Sequence, residues 1–261
     1  MEVRLLVALL SLAVAYCRDF PECVGRMQSP IALSTQSAFP GMEFLPLELS
    51  TYEMDPTQVM VRNDGYTAIY SFQFPDNQPI IARGGVLMGE FQFDSLHFHW
   101  GANSDRGTEH VIDGGRYAME VHLVFFNRRY ESIEQAQTQR NGLAVLGLML
   151  TNSSDAPNYG WVPALNEIQQ AETSYTLPDP TVFNIRQFIG PDRRPYFNYH
   201  GSLTTPPCYE SVNWLVQKKV LLISEEQLNV FRSLRDADGN QLVDNFRSLQ
   251  PINGRPIVYY R

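Results

Sequence analysis

Two histidines separated by a single residue, His97 and His99, lie in the segment LHFHWG between Leu96 and Gly101. Successive side chains of a β-strand point to opposite faces, so in a strand these two imidazoles share one face. Two imidazoles side by side on a buried face repel each other when charged and leave hydrogen-bond donors without acceptors when neutral, unless an ion binds between them. Because imidazole is a preferred ligand of zinc and other transition metals, the pair predicts a metal site rather than simple core packing.

A third ligand is available nearby, because four of the five histidines fall between residues 97 and 122. The segment YAMEVHLVFF is typical of a strand, in which Glu120 and His122 share one face. Three histidine nitrogens with an open fourth position form the arrangement of catalytic zinc sites. The cysteine-rich spacing of structural zinc is absent from the sequence. The residues alone do not choose between His110 and His122 as the third ligand.

The elements that must position these histidines are short strands that recur along the chain with turn residues between them. The candidate strands are TQVMVRN, TAIYSFQF, GEFQFDSLHFHW, YAMEVHLVFF, LAVLGLML, SVNWLVQ and KKVLLIS. Helices are fewer: SEEQLNVFRSL opens with a capping box of Ser224 and Gln227, and WVPALNEIQQAE carries Pro163 near its start. This pattern, in a chain of 261 residues, predicts a single α+β, mainly β domain around one large sheet.

The start of the chain has the pattern of a targeting segment. An apolar run from Leu5 to Ala15 follows one arginine and ends in a small-x-small cleavage signal, which predicts a signal peptide over residues 1–17, cleaved near 15–17. The run is too short to span a bilayer, and the C-terminus lacks the hydrophobic tail of a lipid-anchor signal. We therefore expect a secreted protein with no membrane span or lipid anchor. The net charge of −8 argues against nucleic acid as a partner.

Cysteines and one sequon fit the same extracellular setting. Of the three cysteines, Cys17 lies in the predicted cleavage region. The simplest disulfide in an oxidising compartment then joins Cys23 to Cys208. Asn152 begins the triplet NSS, which is a sequon for N-glycosylation.

Seven motifs, taken in order from about Cys23 to the C-terminus, resemble the α-class carbonic anhydrases. The motifs are QSPI, HFHWG, TEH, MEVHLV, GLAVLG, GSLTTPPC and VDNFR. The resemblance implies a large twisted, mostly antiparallel ten-stranded sheet with surface helices, in a catalytic domain over residues 18–261. It implies reversible hydration of CO2 to bicarbonate and a proton by zinc-bound hydroxide. CO2 and bicarbonate are then the small-molecule partners, and we expect a monomer.

The resemblance also implies roles for individual residues. The implied zinc ligands are His97, His99 and His122, and Thr204 is implied to take a hydrogen bond from the hydroxide and give one to Glu109. Glu120 is implied to bond His122, and the carbonyl of Asn245 to orient His99. Ser95 and His110 are implied to belong to the same layer of residues behind the ligands. The residues implied to line the substrate pocket are Thr205, Val124, Val145, Leu203, Val212 and Trp214. Cys23 and Cys208 match the disulfide of secreted and membrane-anchored members.

Three departures from the family pattern bear on function. Tyr66 stands where the fastest members carry a proton-shuttling histidine, and tyrosine side chains, with an ordinary pKa of about 10, are poor proton acceptors near neutral pH. Ser95 replaces the glutamine that usually orients the first zinc ligand, and it is shorter. The aromatic-rich segment that normally precedes the QSPI motif is missing, so the catalytic domain is expected to be shortened at its N-terminus.

Two other functions are alternatives to a zinc hydratase. A non-catalytic binding domain of the same family is one alternative, although such relatives typically lack zinc histidines, and this chain keeps all three with Thr204 and Glu109. A cupin-type metal enzyme also uses His-x-His followed by a glutamate. In cupins, however, the glutamate follows within a few residues, whereas Glu109 is ten residues after His99.

Overall fold

The computed structural model describes residues 20–42, 46–190 and 193–261, so the predicted signal peptide and Cys17 lie outside the described residues. Within these ranges the strands are β1 (Ala32–Leu33), β2 (Phe39–Pro40), β3 (Glu48–Leu49), β4 (Gln58–Asn63), β5 (Ala68–Gln73), β6 (Ile81–Arg83), β7 (Phe91–Trp100), β8 (Val111–Ile112), β9 (Met119–Asn127), β10 (Leu143–Asn152), β11 (Thr173–Thr176), β12 (Tyr196–Gly201), β13 (Val212–Ile223) and β14 (Val258–Tyr260). The α-helices of the described ranges are α1 (Ile133–Ala136) and α2 (Glu225–Arg232), and the 3-10 helices are Pro21–Val24, Pro75–Asn77, Val162–Ile168, Pro180–Val182 and Ile185–Gln187.

One large twisted sheet organises these elements. Ten of its strands form a continuous row in the order β11-β4-β5-β7-β9-β10-β13-β12-β14-β2. Within the described chain, only the β10–β13 and β14–β2 pairs of this sheet are parallel, so the expected mostly antiparallel, mainly β fold is confirmed. The sheet has twelve strands rather than ten, because β6 pairs with the first part of β7 and β3 pairs with β6, both off the row.

The central strands are buried on both faces, which explains their near-continuous apolar sequences. Almost every residue of β9 and β10 is buried. One face packs on the larger core, to which β7 contributes Phe91, Phe93, Leu96, Phe98 and Trp100. The other face carries a smaller apolar cluster that includes residues of β9, β10, β12 and β13. The histidines of β7 lie on this second face, since they alternate with the core residues.

The predicted elements differ from the observed ones in two places. The segments SVNWLVQ and KKVLLIS form one strand, β13, rather than two, because no turn residue interrupts them. The expected helix at WVPALNEIQQAE is a 3-10 helix, Val162–Ile168. The helix at SEEQLNVFRSL is confirmed as α2, and both halves of its capping box are present between Ser224 and Gln227. None of the helices in the described ranges is long and apolar enough to cross a membrane.

Candidate metal centre

The strands that carry the predicted ligands are neighbours in the sheet. In the β7–β9 pairing, His97 lies opposite His122, and His99 lies opposite Glu120. Nδ1 of His122 lies 3.2 Å from Nε2 of His97 and 3.2 Å from Nε2 of His99. The three nitrogen atoms form one group that can hold a metal ion, and it includes His122 rather than His110.

Hydrogen bonds on the far side of two rings determine their tautomers. Nδ1 of His99 lies 2.8 Å from the carbonyl oxygen of Asn245, and this nitrogen must donate because a carbonyl only accepts. Nε2 of His122 lies 2.8 Å from Oε1 of Glu120 and donates to the carboxylate for the same reason. In the neutral rings, Nε2 of His99 and Nδ1 of His122 then carry lone pairs, and these lone pairs face each other across 3.2 Å. Such a contact is repulsive unless a cation lies between the two nitrogens.

The spacing and the charge state of the ligand group both suit zinc. A tetrahedral zinc ion with bonds of about 2.0–2.1 Å holds its nitrogen ligands about 3.3 Å apart. Burial holds the pKa of His97 well below its ordinary value, and the neighbouring rings of His122 and His99 lower it further. Burial also lowers the pKa of His122, against the opposing effect of Glu120. The rings of His97 and His122 are therefore neutral near pH 7, which is the form that binds a metal.

Glu120 is the buried carboxylate behind the ligand group. Its Oε2 accepts the backbone N–H groups of Glu109 and His110, both at 2.8 Å, and its Oε1 accepts from His122 and from Nδ1 of His110, the latter at 2.7 Å. Burial alone would raise the pKa of Glu120, but the hydrogen bonds from His110 and His122 hold it well below its ordinary value. Glu120 is thus ionised and holds the ring of His122 in place.

His110 supports the site without contributing a free nitrogen. Its Nδ1 donates to Glu120, which leaves Nε2 as the acceptor of the Tyr199 hydroxyl at 2.6 Å. Burial raises the pKa of Tyr199 well above its ordinary value, so this hydroxyl keeps its proton. Both ring nitrogens of His110 are therefore engaged, although His110, Glu120 and His122 also lie close enough together to count as a possible metal group.

Glu109 presents an unpartnered acceptor close to the ligand nitrogens. Its Oε1 accepts the backbone N–H of Arg247 at 2.8 Å. Its Oε2 is buried, has no hydrogen-bond partner among the described residues, and lies 3.5 Å from Nε2 of His99. Thr204 is also buried, but no hydrogen bond joins it to Glu109 within the described chain, so that bond stays a prediction. A buried carboxylate oxygen without a donor is costly, and a hydroxyl donor would satisfy it.

Ser95 and Tyr66 behave differently from the glutamine and the histidine of the family pattern. The Ser95 hydroxyl donates to Oδ2 of Asp94 at 2.7 Å, and Nδ1 of His97 has no hydrogen-bond partner in the described part of the chain. Tyr66 has 68% of its surface exposed, and its backbone carbonyl accepts from the Asn245 side chain at 2.9 Å. The structure therefore leaves His97 without the orienting partner that the other two rings have.

An apolar wall borders the ligand group on one side. The predicted pocket residues Val124, Val145, Val212 and Trp214 belong to the smaller apolar cluster, and Leu203 packs against it. Val124 lies opposite Val145, which in turn lies opposite Trp214 in the next strand. The rings of Trp214 and His122 have their centroids 4.8 Å apart. Thr205 is exposed.

Sequence reasoning assigned no role to three residues that shape the site. Arg247 supplies the backbone N–H that binds Glu109, and Tyr199 binds His110. Gly147 lies opposite His122, and a Cβ atom there would come within 3.2 Å of Oε1 of Glu120. Arg247 and Gly147 fall inside the VDNFR and GLAVLG motifs, which were the available signal for them.

A disulfide joins Cys23 to Cys208, 185 residues apart, close to the segment that carries Thr204. The backbone N–H of Cys208 donates to the carbonyl of Thr205 at 2.9 Å. The side-chain amide of Gln28 donates to the carbonyl of Cys208 at 3.2 Å. The disulfide therefore attaches the start of the described chain to the turn after Thr204.

Loss of this disulfide is expected to lower the free energy of unfolding. A closed loop of 185 residues corresponds to about 5 kcal/mol in the chain-entropy model, and measured losses are often smaller. Urea denaturation with and without reductant measures the difference, and the double variant Cys23→Ser with Cys208→Ser should match the reduced protein and gain nothing further from reductant. Two free thiols in a non-reducing peptide map would contradict the pairing.

The sequon asparagine lies on the surface. Asn152 is exposed at the end of β10, and its side-chain nitrogen donates to Oε2 of Glu225 at 2.7 Å. An exposed strand end is accessible to modification, but use of the sequon stays a prediction.

Comparison with known proteins agrees with these features. Residues 15–261 match the family model described as eukaryotic-type carbonic anhydrase. The chain is 35% identical to mouse (Mus musculus) carbonic anhydrase 6 over 248 residues, which cover 93% of this chain and 76% of the relative. It is 35% identical to mouse carbonic anhydrase 7, covering 91% of this chain and 90% of the relative. It is 34% identical to human carbonic anhydrase 3, covering 91% of each.

Proposed function

Since this chain belongs to the family of eukaryotic-type carbonic anhydrases, we propose that it is a zinc enzyme that hydrates CO2 reversibly to bicarbonate and a proton. The observation that carries the proposal is the pair of imidazole lone pairs, on His99 and His122, that face each other across 3.2 Å. A cation between them would turn this repulsion into two ligand bonds. Histidine nitrogens without thiolate or further carboxylate ligands match a catalytic zinc site with an open position.

Residues of this chain would hold the ion and set its coordination. His97, His99 and His122 would bind it, and Glu120 and the Asn245 carbonyl would keep two of the rings in the correct tautomer. When bound, zinc supplies a nucleophile at neutral pH, since in carbonic anhydrase itself the metal lowers the pKa of bound water to about 7.

Thr204 and Glu109 would orient that nucleophile. Glu109 can only accept, so a Thr204 hydroxyl that bonds its unpartnered Oε2 must donate its proton there. The Thr204 oxygen then remains free only to accept a hydrogen bond from the nucleophile. This directionality would turn a lone pair of the nucleophile toward the substrate.

The apolar wall suits CO2, which is uncharged and a weak hydrogen-bond acceptor. Val124, Val145 and Trp214 would hold it beside the metal without competing for a ligand position, with Val212 in the same apolar cluster and Leu203 packed against it. Thr205 would complete the pocket, as the family resemblance implies. Such a wall also excludes water that would otherwise compete with the substrate.

The direct test combines metal analysis with a rate measurement on the expressed chain. We expect one zinc ion per chain by mass spectrometry and CO2 hydration above the uncatalysed rate by stopped flow. A chain that binds zinc tightly but does not hydrate CO2 would instead favour the alternative, a non-catalytic binding domain of the same family. A chain without zinc would overturn the proposed metal centre.

The remaining parts of the proposal concern the setting of the enzyme. A signal peptide over residues 1–17 and secretion are supported by the apolar leader pattern and by the disulfide. The catalytic domain would then span residues 18–261, and we expect it to be a monomer. Glycosylation at Asn152 belongs to the same extracellular setting. Mass determination of the protein from the culture medium of secreting cells tests cleavage and glycosylation together.

Proton release is expected to limit kcat, because the shuttle position holds a tyrosine, Tyr66, instead of a histidine. A mismatch of about three pKa units makes transfer to a tyrosine about 4 kcal/mol uphill. Replacing Tyr66 by histidine should therefore raise kcat in dilute buffer, since histidine has an ordinary pKa of about 6.5, and leave kcat/KM nearly unchanged. Imidazole buffer should raise the kcat of the unmodified enzyme in a saturable way. A wild-type kcat that is already independent of buffer would contradict this expectation.

A further inference from the structure

An irregularity in β7 brings a carboxylate onto the face that carries the metal ligands. The pairing of β7 with β9 shifts register between Phe93 and Ser95, so one extra residue, Asp94, is accommodated there. Phe93 and Leu96 both belong to the larger core on the opposite face. The two residues between them, Asp94 and Ser95, are only partly buried and are absent from that core. The bulge therefore places both on the side of His97.

Asp94 is close to the site without touching the ligands. It precedes His97 by three residues, which is about 10 Å along an extended strand at about 3.3 Å per residue. A short chain of water molecules can bridge such a distance. Its Oδ2 accepts the hydroxyl hydrogen of Ser95 at 2.7 Å, which fixes the orientation of the carboxylate.

The surroundings of Asp94 favour its protonated form more than those of an ordinary surface carboxylate. Burial raises its pKa and the negative charge of Glu134, in α1, raises it further, against the opposing hydrogen bond of Ser95. The arginines on or next to the strands that pair with β7 are engaged with other carboxylates. Arg83 on β6 binds Glu48 at 2.9 Å, and Arg128, directly after β9, binds Glu90 at 2.8 Å.

The other titratable groups near the cleft are less suited to carry a proton. Of the five histidines, three form the ligand group, His110 is bound to Glu120 and Tyr199, and His200 lies exposed on β12. Oδ1 of Asp64 accepts two backbone N–H groups, those of Tyr66 and Thr67, at 2.9 and 2.8 Å. These two hydrogen bonds hold the Asp64 carboxylate in its turn.

We infer that Asp94 receives the proton released by CO2 hydration and passes it to solvent. The inference rests on the proposed function. Water and CO2 give bicarbonate and one proton, the proton crosses the intervening water to a carboxylate oxygen of Asp94, and a buffer base then removes it and restores the carboxylate. No oxidant or further reactant is required. Asp94 thus serves as the proton acceptor in place of Tyr66. Because a carboxylate is a weaker base than imidazole, transfer to Asp94 is slower than transfer to a histidine would be.

The variant Asp94→Asn tests this directly, because asparagine has the same shape and can still accept the Ser95 hydroxyl. We expect kcat in dilute buffer to fall about tenfold, with kcat/KM and the melting temperature unchanged. Imidazole should restore kcat, and Asp94→Glu should retain most of it. The matched control Glu131→Gln, which removes an exposed carboxylate from the segment before α1, should leave kcat unchanged.

A second measurement does not depend on activity. The carboxyl carbon of Asp94, followed by NMR on the zinc-loaded protein, should titrate above the ordinary aspartate range, and Glu134→Gln should lower that pKa. Glu134→Gln should also move the inflection of the kcat–pH profile toward lower pH. Equal kcat for wild type and Asp94→Asn in dilute buffer, or an ordinary Asp94 titration, would overturn the inference while leaving the hydratase intact. Absence of any hydration by the wild type would overturn the proposed function and this inference with it.

Discussion

Replacing His97 by alanine is expected to remove zinc and nearly all CO2 hydration. The ion would lose one of three protein ligands, and loss of even an indirect partner of a ligand costs about 10–100-fold in metal affinity, so the direct ligand should cost more than about 100-fold. The apolar and hydrogen-bonded surroundings stay in place, because the Nδ1 of His97 has no hydrogen-bond partner among the described residues. Zinc content after dialysis, together with stopped-flow rates, measures both effects.

The exposed His200 provides a control of the same residue type, and His200→Ala should retain zinc and activity. His122→Ala should behave like His97→Ala. His110→Ala removes a partner of Glu120 and should therefore weaken zinc binding less than His122→Ala does. The reverse order for His110 and His122 would show that the third ligand is wrongly assigned.

Replacing Glu120 by glutamine is expected to be strongly destabilising, although the two side chains have the same shape. Both oxygens of Glu120 accept two hydrogen bonds each, all four from N–H donors. In glutamine, an NH2 group takes the place of one carboxylate oxygen. The two buried N–H donors that bonded to that oxygen then lose their acceptor and face another donor. The expected loss is about 3 kcal/mol of unfolding free energy, in the range seen when one partner of a buried charged network is removed.

The same substitution should weaken zinc binding by about 10–100-fold, because His122 loses the partner that holds its ring. Urea denaturation of the zinc-free protein and competition with a chelator separate the two effects. The variant Glu131→Gln is the matched control, since it makes the same chemical change at an exposed position. A Glu120→Gln protein with wild-type stability and wild-type zinc affinity would contradict the assigned network.

Much of the fold could be predicted from the sequence, because the central strands have strong local signals. The segments that became β4, β5, β7 and β9 are rich in aromatic and β-branched residues, and β10 is a nearly continuous apolar run. All five are bounded by turn residues. Helix α2 was predicted from its capping box, which depends only on residues three apart. The short strands β2, β3, β6 and β14 have two or three residues each, too few for a periodic pattern, and they exist because a neighbouring strand pairs with them.

The sequence by itself determined that His97 and His99 share a face, because strand geometry alternates side chains wherever the strand lies. It did not determine the partner of that pair, because local patterns do not distinguish His110 from His122, and only the family resemblance favours His122. The tertiary structure separates them, since the register of β7 against β9 sets His122 opposite His97, whereas His110 lies outside both strands and binds Glu120 and Tyr199. The bulge that brings Asp94 to the side of His97 is also a property of pairing, because an extra residue exists only relative to the strand beside it. Contacts of this kind join residues that are distant in sequence, and no local pattern records them.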